Sequence, residues 1–276
     1  MRLYQMADAV RFPTMTTSEL RDTFLVKGLH QPQNLSMCYV DLDRTIIGMA
    51  SPINVSVPLA NETMLRSEYF LERRELGALN IGGKGQIRVD GQVYPMDSLD
   101  CLYIGRGSRD VIFESLDTNA PAAFYLLSYP AHTAWPTTLI RKQEVTPVML
   151  GSVETANRRS ICKYIHLEGA RSCQLVMGVT HLEKGSVWNT MPAHTHMRRS
   201  EVYMYFSLAP EARVFHLMGQ PHETRHLFVE DREAVISPGW SIHAGAGSQA
   251  YSFCWGMGGE NQDYADMDPA PLTTLR

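Results

Sequence analysis

The segment Pro192-Ala193-His194-Thr195-His196-Met197-Arg198-Arg199-Ser200-Glu201-Val202-Tyr203-Met204-Tyr205-Phe206 decides how this chain is read. Residues two apart on a strand point to the same face, so His194 and His196 present both imidazoles to one side. Glu201 lies five residues beyond His196 and would face the other way on an unbroken strand. A turn or bulge within Met197-Arg198-Arg199-Ser200 is therefore required, and that polar run suits one. Beyond it, Glu201, Tyr203 and Tyr205 share one face, and Val202, Met204 and Phe206 share the other. A fourth group comes from Pro238-Gly239-Trp240-Ser241-Ile242-His243, where Pro and Gly bend the chain just before the histidine. Three imidazoles and one carboxylate make a borderline ligand set that suits zinc, iron, manganese, nickel or cobalt and leaves room for water or substrate. An HxH pair alone is more often two surface residues than a metal site. The carboxylate at the right offset and the later Pro-Gly…His tip the balance toward metal.

Working outward, the surrounding text is a series of short apolar runs with turn punctuation. Ala122 to Leu127, Gln174 to His181, Val202 to Ser207, Arg213 to Leu217, Leu227 to Val229 and Ala250 to Trp255 all read as strands. Gln86 to Tyr94 reads as a hairpin with Asp90-Gly91 at the bend, because a type I′ turn needs φ > 0 at both central residues. The best helical signal is the capped run Thr17-Ser18-Glu19-Leu20-Arg21-Asp22. Many short strands of this kind predict a sandwich or barrel. The two halves also match in outline. Glu72-Arg73-Arg74-Glu75-Leu76 is similar to Met197-Arg198-Arg199-Ser200-Glu201-Val202, and Asp100 to Gly105 is similar to Glu233 to Pro238. The order is the same in both halves, which predicts two related barrels, residues 1–140 and 141–276, joined near Trp135 to Pro147. Where the second half has its HxH, the first offers Glu68-Tyr69-Phe70-Leu71, and where the second has His243 it offers Asp110. Only Glu75 keeps a ligand type there, so the first barrel is expected to be metal-free.

Composition excludes several function classes. The 276 residues carry a formal net charge of −4, with 20% charged and 44% hydrophobic residues. That is a globular balance with spread-out Lys and Arg, and it predicts no nucleic-acid partner. No run approaches the roughly 18 apolar residues of a membrane span. Met1 to Gln5 has no apolar core of signal-peptide length. The five cysteines, Cys38, Cys101, Cys162, Cys173 and Cys254, are dispersed without a CxxC. Reduced thiols in a cytoplasmic protein are the expectation.

HxH, four residues, then Glu, with a later Pro-Gly-x-x-x-His, resembles the metal signature of the cupin superfamily. The usual second motif has Gly two residues after Pro, whereas Gly239 follows Pro238 directly, and the usual leading Gly is absent at Arg232. Longer words are more specific: Tyr69 to Gly77, Asn157-Arg158-Arg159, Trp188 to Pro192, Met218 to His226 and Trp255 to Gln262. Together these resemble, over nearly the whole chain, the 5-keto-4-deoxyuronate isomerase family of pectin and uronate breakdown. The resemblance implies a mainly β bicupin, two related β-barrel or jelly-roll domains with a few short helices. It implies one Zn2+ per subunit on His194, His196, Glu201 and His243, and a homohexamer. The implied reaction interconverts 5-dehydro-4-deoxy-D-glucuronate and 3-deoxy-D-glycero-2,5-hexodiulosonate, a small keto-uronate pair. The alternatives are the related 5-deoxy-glucuronate isomerase, an Fe(II) cupin dioxygenase, and a non-enzymatic storage bicupin. Storage bicupins usually lose the ligands in both halves, and this chain keeps all four in one.

A ketol isomerisation needs a base near a carbon-bound proton, an electrophile on the carbonyl oxygen and a grip on the substrate carboxylate. Glu223 and His226, in the polar run between two strands, are the candidate bases if they reach the pocket. Arg199, Arg225 and Lys163 are candidates for the carboxylate, since a guanidinium binds one through two parallel hydrogen bonds. Tyr203, on the face of Glu201, is a candidate hydroxyl, as are Tyr205 and Tyr251.

Overall fold

The computed structural model describes all residues, 1–276. It is mainly β, with 43% strand and 9% helix, as the density of short apolar runs predicts. No helix is long and apolar enough to cross a membrane. The chain forms two compact units. One comprises Met1–Leu3, Gly28–Thr146 and Tyr164–Val176, the other Tyr4–Lys27, Pro147–Lys163 and Met177–Arg276.

The first unit is built from a seven-stranded sheet and a four-stranded sheet. In the larger sheet, Arg74–Asn80 lies between Phe124–Pro130 and Cys101–Ile104, all antiparallel. The smaller sheet holds the Gly85–Val89 and Gln92–Met96 hairpin. Its bend is the expected one: Asp90 and Gly91 have φ of 49° and 85°. Leu76, Ala78, Leu102 and Leu126 from the larger sheet pack with Ile87 and Phe113 from the smaller. Each such buried aliphatic or aromatic side chain contributes about 1.5–3 kcal/mol.

The second unit repeats this plan, with a seven-stranded and a four-stranded sheet. Arg199–Phe206 occupies the place that Arg74–Asn80 has in the first unit, between Ser252–Gly259 and Ala234–Ser237. Ile242–Gly247 and Val214–Gln220 lie in the smaller sheet. The one α-helix of the unit is Thr17–Phe24, and its cap lies one residue before the expected run: Thr16 forms a capping box with Glu19. Phe24 and Phe12 close edge-on against Trp240, which anchors the Pro238-Gly239-Trp240 bend.

The strand ladders correct one sequence equivalence. In the first unit Leu76 pairs with Ile104, and in the second Glu201 pairs with Ser237. Ile104 and Ser237 are matching residues of the two related words Asp100 to Gly105 and Glu233 to Pro238. Leu76, not Glu75, therefore stands at the position of Glu201, and Arg74 at that of Arg199. Successive strand residues face opposite ways, so a shift of one residue exchanges the faces. Glu75 points away from the Leu76–Ala78 core. There it is fully buried, and its carboxylate accepts hydrogen bonds from the Tyr103 hydroxyl and the backbone N–H groups of Cys173, Gln174 and Leu175 at 2.6–2.9 Å. Every lone pair is engaged, and Glu75 is a structural carboxylate with no ligand capacity left.

Candidate metal centre

Each ligand is delivered by a different local device. His194 lies on the short strand Ala193–Thr195, which pairs only with Asp268–Ala270 near the C-terminus, in the register His194 to Pro269. The required turn is present: the Arg199 amide donates to the His196 carbonyl at 3.1 Å, reversing the chain before the Arg199–Phe206 strand begins. Glu201 then enters the interior. His243 is brought in by the ladder pairing Met218 to His243. Gly239 has its own reason. A Cβ there would lie 2.9–3.1 Å from the His196 carbonyl oxygen and the Met197 backbone, so any side chain would push the His196 turn out of place.

The four residues converge. One ligand atom from each of His194, His196, Glu201 and His243 lies within 4.8 Å of all the others. His243 Nε2 is 3.0 Å from His194 Nε2 and 2.9 Å from Glu201 Oε2, and His196 Nε2 is 3.0 Å from that same oxygen. With metal–ligand bonds of about 2.1 Å, adjacent ligands lie about 3.0 Å apart in an octahedron and about 3.4 Å apart in a tetrahedron. The spacing fits a divalent ion with positions to spare. The donor chemistry agrees. His196 Nδ1 lies 3.0 Å from the Arg199 carbonyl, which can only accept, so Nδ1 carries a proton and the Nε2 lone pair of neutral His196 faces the cluster. That lone pair meets a carboxylate oxygen, and two bare imidazole nitrogens meet each other. Such a convergence needs positive charge at its centre, supplied either by a cation or, without one, by a proton that Glu201 holds on His196.

The electrostatics follow from burial and pairing. Burial, reinforced by His243, lowers the His194 pKa to about 3, so this imidazole is neutral and available as a ligand. Burial opposes charge on His196, but the hydrogen bond and charge of Glu201 outweigh it and raise its pKa. Burial likewise opposes ionisation of Glu201, and His243 and His196 outweigh it, holding the carboxyl well below the usual range. Behind the cluster, burial lowers His216 to about 3, and its Nδ1 lies 2.7 Å from the Tyr205 hydroxyl.

The cluster lies in a cavity of about 280 Å3. Among the candidate residues, Lys163, Arg199 and Tyr203 line it. The Lys163 ammonium sits 3.9 Å over the Tyr264 ring, and the Tyr203 hydroxyl is 3.0 Å from Thr190 Oγ1. Burial raises the Tyr203 pKa well above its ordinary value, so it stays protonated. The structure does not bring Glu223, His226 or Arg225 to this cavity. Glu223 is exposed at the tip of the hairpin, where it pairs with Gln220, and His226 is exposed on the outer face with Phe228. Arg225 instead donates to the carbonyls of Pro13 and Met15, pinning the N-terminal segment. Glu223→Gln and His226→Ala are each expected to keep turnover within about twofold of wild type in a steady-state assay, as surface substitutions do.

Arg159 and Tyr264 also line the cavity, and neither is among the sequence-derived site candidates. The signal for Arg159 was alternation, since Arg159, Ile161 and Lys163 share a face of the Arg159–Ile165 strand. Tyr264 falls in a run with neither strand nor helix period, and no sequence signal placed it.

Residues 25–271 match the KduI/IolB family. The chain belongs to the KduI/IolB family. Its relatives include the 4-deoxy-L-threo-5-hexosulose-uronate ketol-isomerase of Lachnoclostridium phytofermentans, 52% identical over 95% of both chains. The enzyme of that name from Escherichia coli is 48% identical over 100% of both. The crystal structure of an IolB-like protein from Salmonella typhimurium LT2 shares the fold, with a TM-score of 0.73 at 14% identity over 89% of this chain and 96% of that one. In this KduI/IolB chain the C-terminal segment completes the cavity. Arg198 pairs with Asp266 and Asp268, Arg199 Nη2 donates to the Asp266 carbonyl, and Tyr264 packs on Trp255. These bonds hold the segment whose last strand carries the only ladder partner of His194.

Proposed function

We propose that this chain is a metal-dependent ketol-isomerase interconverting 5-dehydro-4-deoxy-D-glucuronate and 3-deoxy-D-glycero-2,5-hexodiulosonate in pectin and uronate catabolism. The observation that carries the reading is 48–52% identity over 95–100% of the length with relatives named for that reaction. The convergence of His194, His196, Glu201 and His243 in the one cavity supports it chemically.

These four residues would hold one divalent ion, with Zn2+ the proposed occupant. Bound there, such an ion supplies Lewis-acid polarisation of a carbonyl oxygen and stabilises negative charge on its neighbour. The protein residues do the rest. Glu201, held ionised, and His196, fixed by the Arg199 carbonyl, set the ligand geometry. Arg159, Lys163 and Arg199 give the wall positive charge for the substrate carboxylate. The protonated Tyr203 hydroxyl donates toward a substrate oxygen. Phe253, Trp255 and Met257 make the remaining wall apolar and exclude water. The first unit is proposed to be metal-free. A homohexamer in the cytoplasm completes the proposal.

Arg159→Ala is expected to raise KM about tenfold or more while kcat changes less, because one charge-assisted hydrogen bond contributes about 1.5–3 kcal/mol. Initial-rate kinetics check this. The function itself is tested by incubating purified protein with 5-dehydro-4-deoxy-D-glucuronate and following the product by NMR, with an oxygen electrode in parallel. The proposal expects conversion without oxygen uptake, lost on chelation and restored by Zn2+. Oxygen consumption, or no conversion by the metal-loaded protein, would overturn it.

A further inference from the structure

The first unit has a cavity of its own, about 220 Å3, lined by Tyr39, Arg44, Ser67, Phe70, Arg73 and Arg74 among others. That is room for roughly seven water volumes of about 30 Å3 each, the scale of a small polar molecule. Three guanidinium-bearing residues line it, and no carboxylate does. Arg74 is the unusual one. It is only 6% exposed, yet no carboxylate lies within ion-pair reach of it. Its Nε donates to Ser128 Oγ at 3.1 Å, and its Nη2 to the carbonyls of Ser128 and Arg44 at 2.8 and 2.6 Å. Those bonds orient the guanidinium, and the carboxylate that acts on it, Glu75, is not in ion-pair contact with it and is already engaged by Tyr103 and the Cys173–Leu175 backbone. Burial lowers its pKa to about 10, a measure of what burial costs. A buried cation with no anion in contact is costly, and an oxyanion arriving in the cavity would offset that cost. Arg44 makes no ion pair, and Arg73 has only a 3.5 Å contact with Glu72.

Position strengthens the case. In the ladders Arg74 stands where Arg199 stands in the second unit, and Arg199 lines the metal cavity there. The first unit keeps a cavity at this corresponding place, with Leu76 in the ligand position of Glu201 and arginines left to face the opening. We infer that this cavity is a binding site for a small oxyanion, the carboxylate of a sugar acid or a phosphate, gripped by Arg44, Arg73 and Arg74. Guanidinium groups match both anions through paired hydrogen bonds, and the site is independent of the metal centre.

The test is isothermal titration calorimetry of the metal-loaded protein with glucuronate and, separately, with inorganic phosphate. Saturable binding of either is expected, and which one binds tells carboxylate from phosphate. The exposed positions allow a variant that keeps the fold, Arg44→Glu with Arg73→Glu, checked by circular dichroism. It should weaken that binding at least tenfold, as should Arg74→Met. His194→Ala, which leaves the first unit intact, should retain it. No saturable binding of either anion, binding that survives the Arg44→Glu and Arg73→Glu double variant, or binding lost in His194→Ala would each overturn the assignment.

Discussion

His194→Ala is expected to remove the bound metal and to lower kcat/KM at least a thousandfold. The reason lies in the ligand geometry. His194 Nε2 is 3.0 Å from His243 Nε2, and its neutrality at working pH follows from a pKa held near 3. Removing it leaves three ligands, one of them the fully enclosed Glu201. Electrophilic stabilisation by a metal contributes several kcal/mol to a transition state, and each 1.4 kcal/mol or so is a factor of ten in rate. Metal content by mass spectrometry and initial rates on the keto-uronate check both halves of the expectation. The fold should survive, because the Ala193–Thr195 strand keeps its ladder to Asp268–Ala270 through backbone groups. Unchanged circular dichroism with lost metal is therefore the expected signature.

The second large effect concerns stability. Glu75→Ala is expected to destabilise the protein by about 3–5 kcal/mol, because it strands three backbone N–H groups and the Tyr103 hydroxyl in a buried place. At about 2–4 °C per kcal/mol for a chain of this size, the melting temperature should fall by about 10 °C. Glu75→Gln should cost less but still destabilise, since its amide N–H2 is set against other donors. Calorimetric melting curves of both variants test the order. A melting temperature for Glu75→Ala within about 2 °C of wild type would show that the carboxylate does not hold the Cys173–Leu175 segment.

Much of this was legible in the sequence, for identifiable reasons. The two-residue spacing of His194 and His196 and the odd offset of Glu201 force a turn, and the His196–Arg199 turn is where that logic puts it. The Asp90-Gly91 bend was readable because few residue pairs tolerate two positive φ values. What was not legible depended on register and facing. Glu75 looked like a remnant ligand because it sits in a word similar to that around Glu201. The ladders put Leu76 at that position and turn Glu75 to the opposite face, as the ungapped match of Arg73-Arg74 to Arg198-Arg199 also has it. Glu223 and His226 looked catalytic because they are polar, ionisable and close in sequence to the metal strands. Whether such residues reach a pocket is decided by which face of the hairpin turns inward. Tyr264 enters the cavity through long-range packing on Trp255 and Lys163, for which spacing along the chain carries no trace.

A single metal ion, held in the second unit by His194, His196, Glu201 and His243, is expected to be required for isomerisation. This requirement is tested most directly by stripping the purified protein of metal and titrating Zn2+ back while recording isomerase rate and bound metal together. Negligible turnover is expected in the stripped protein, with a rate that rises in proportion to bound metal and saturates at one ion per chain. Full turnover in the stripped protein, or saturation only at two ions per chain, would contradict it.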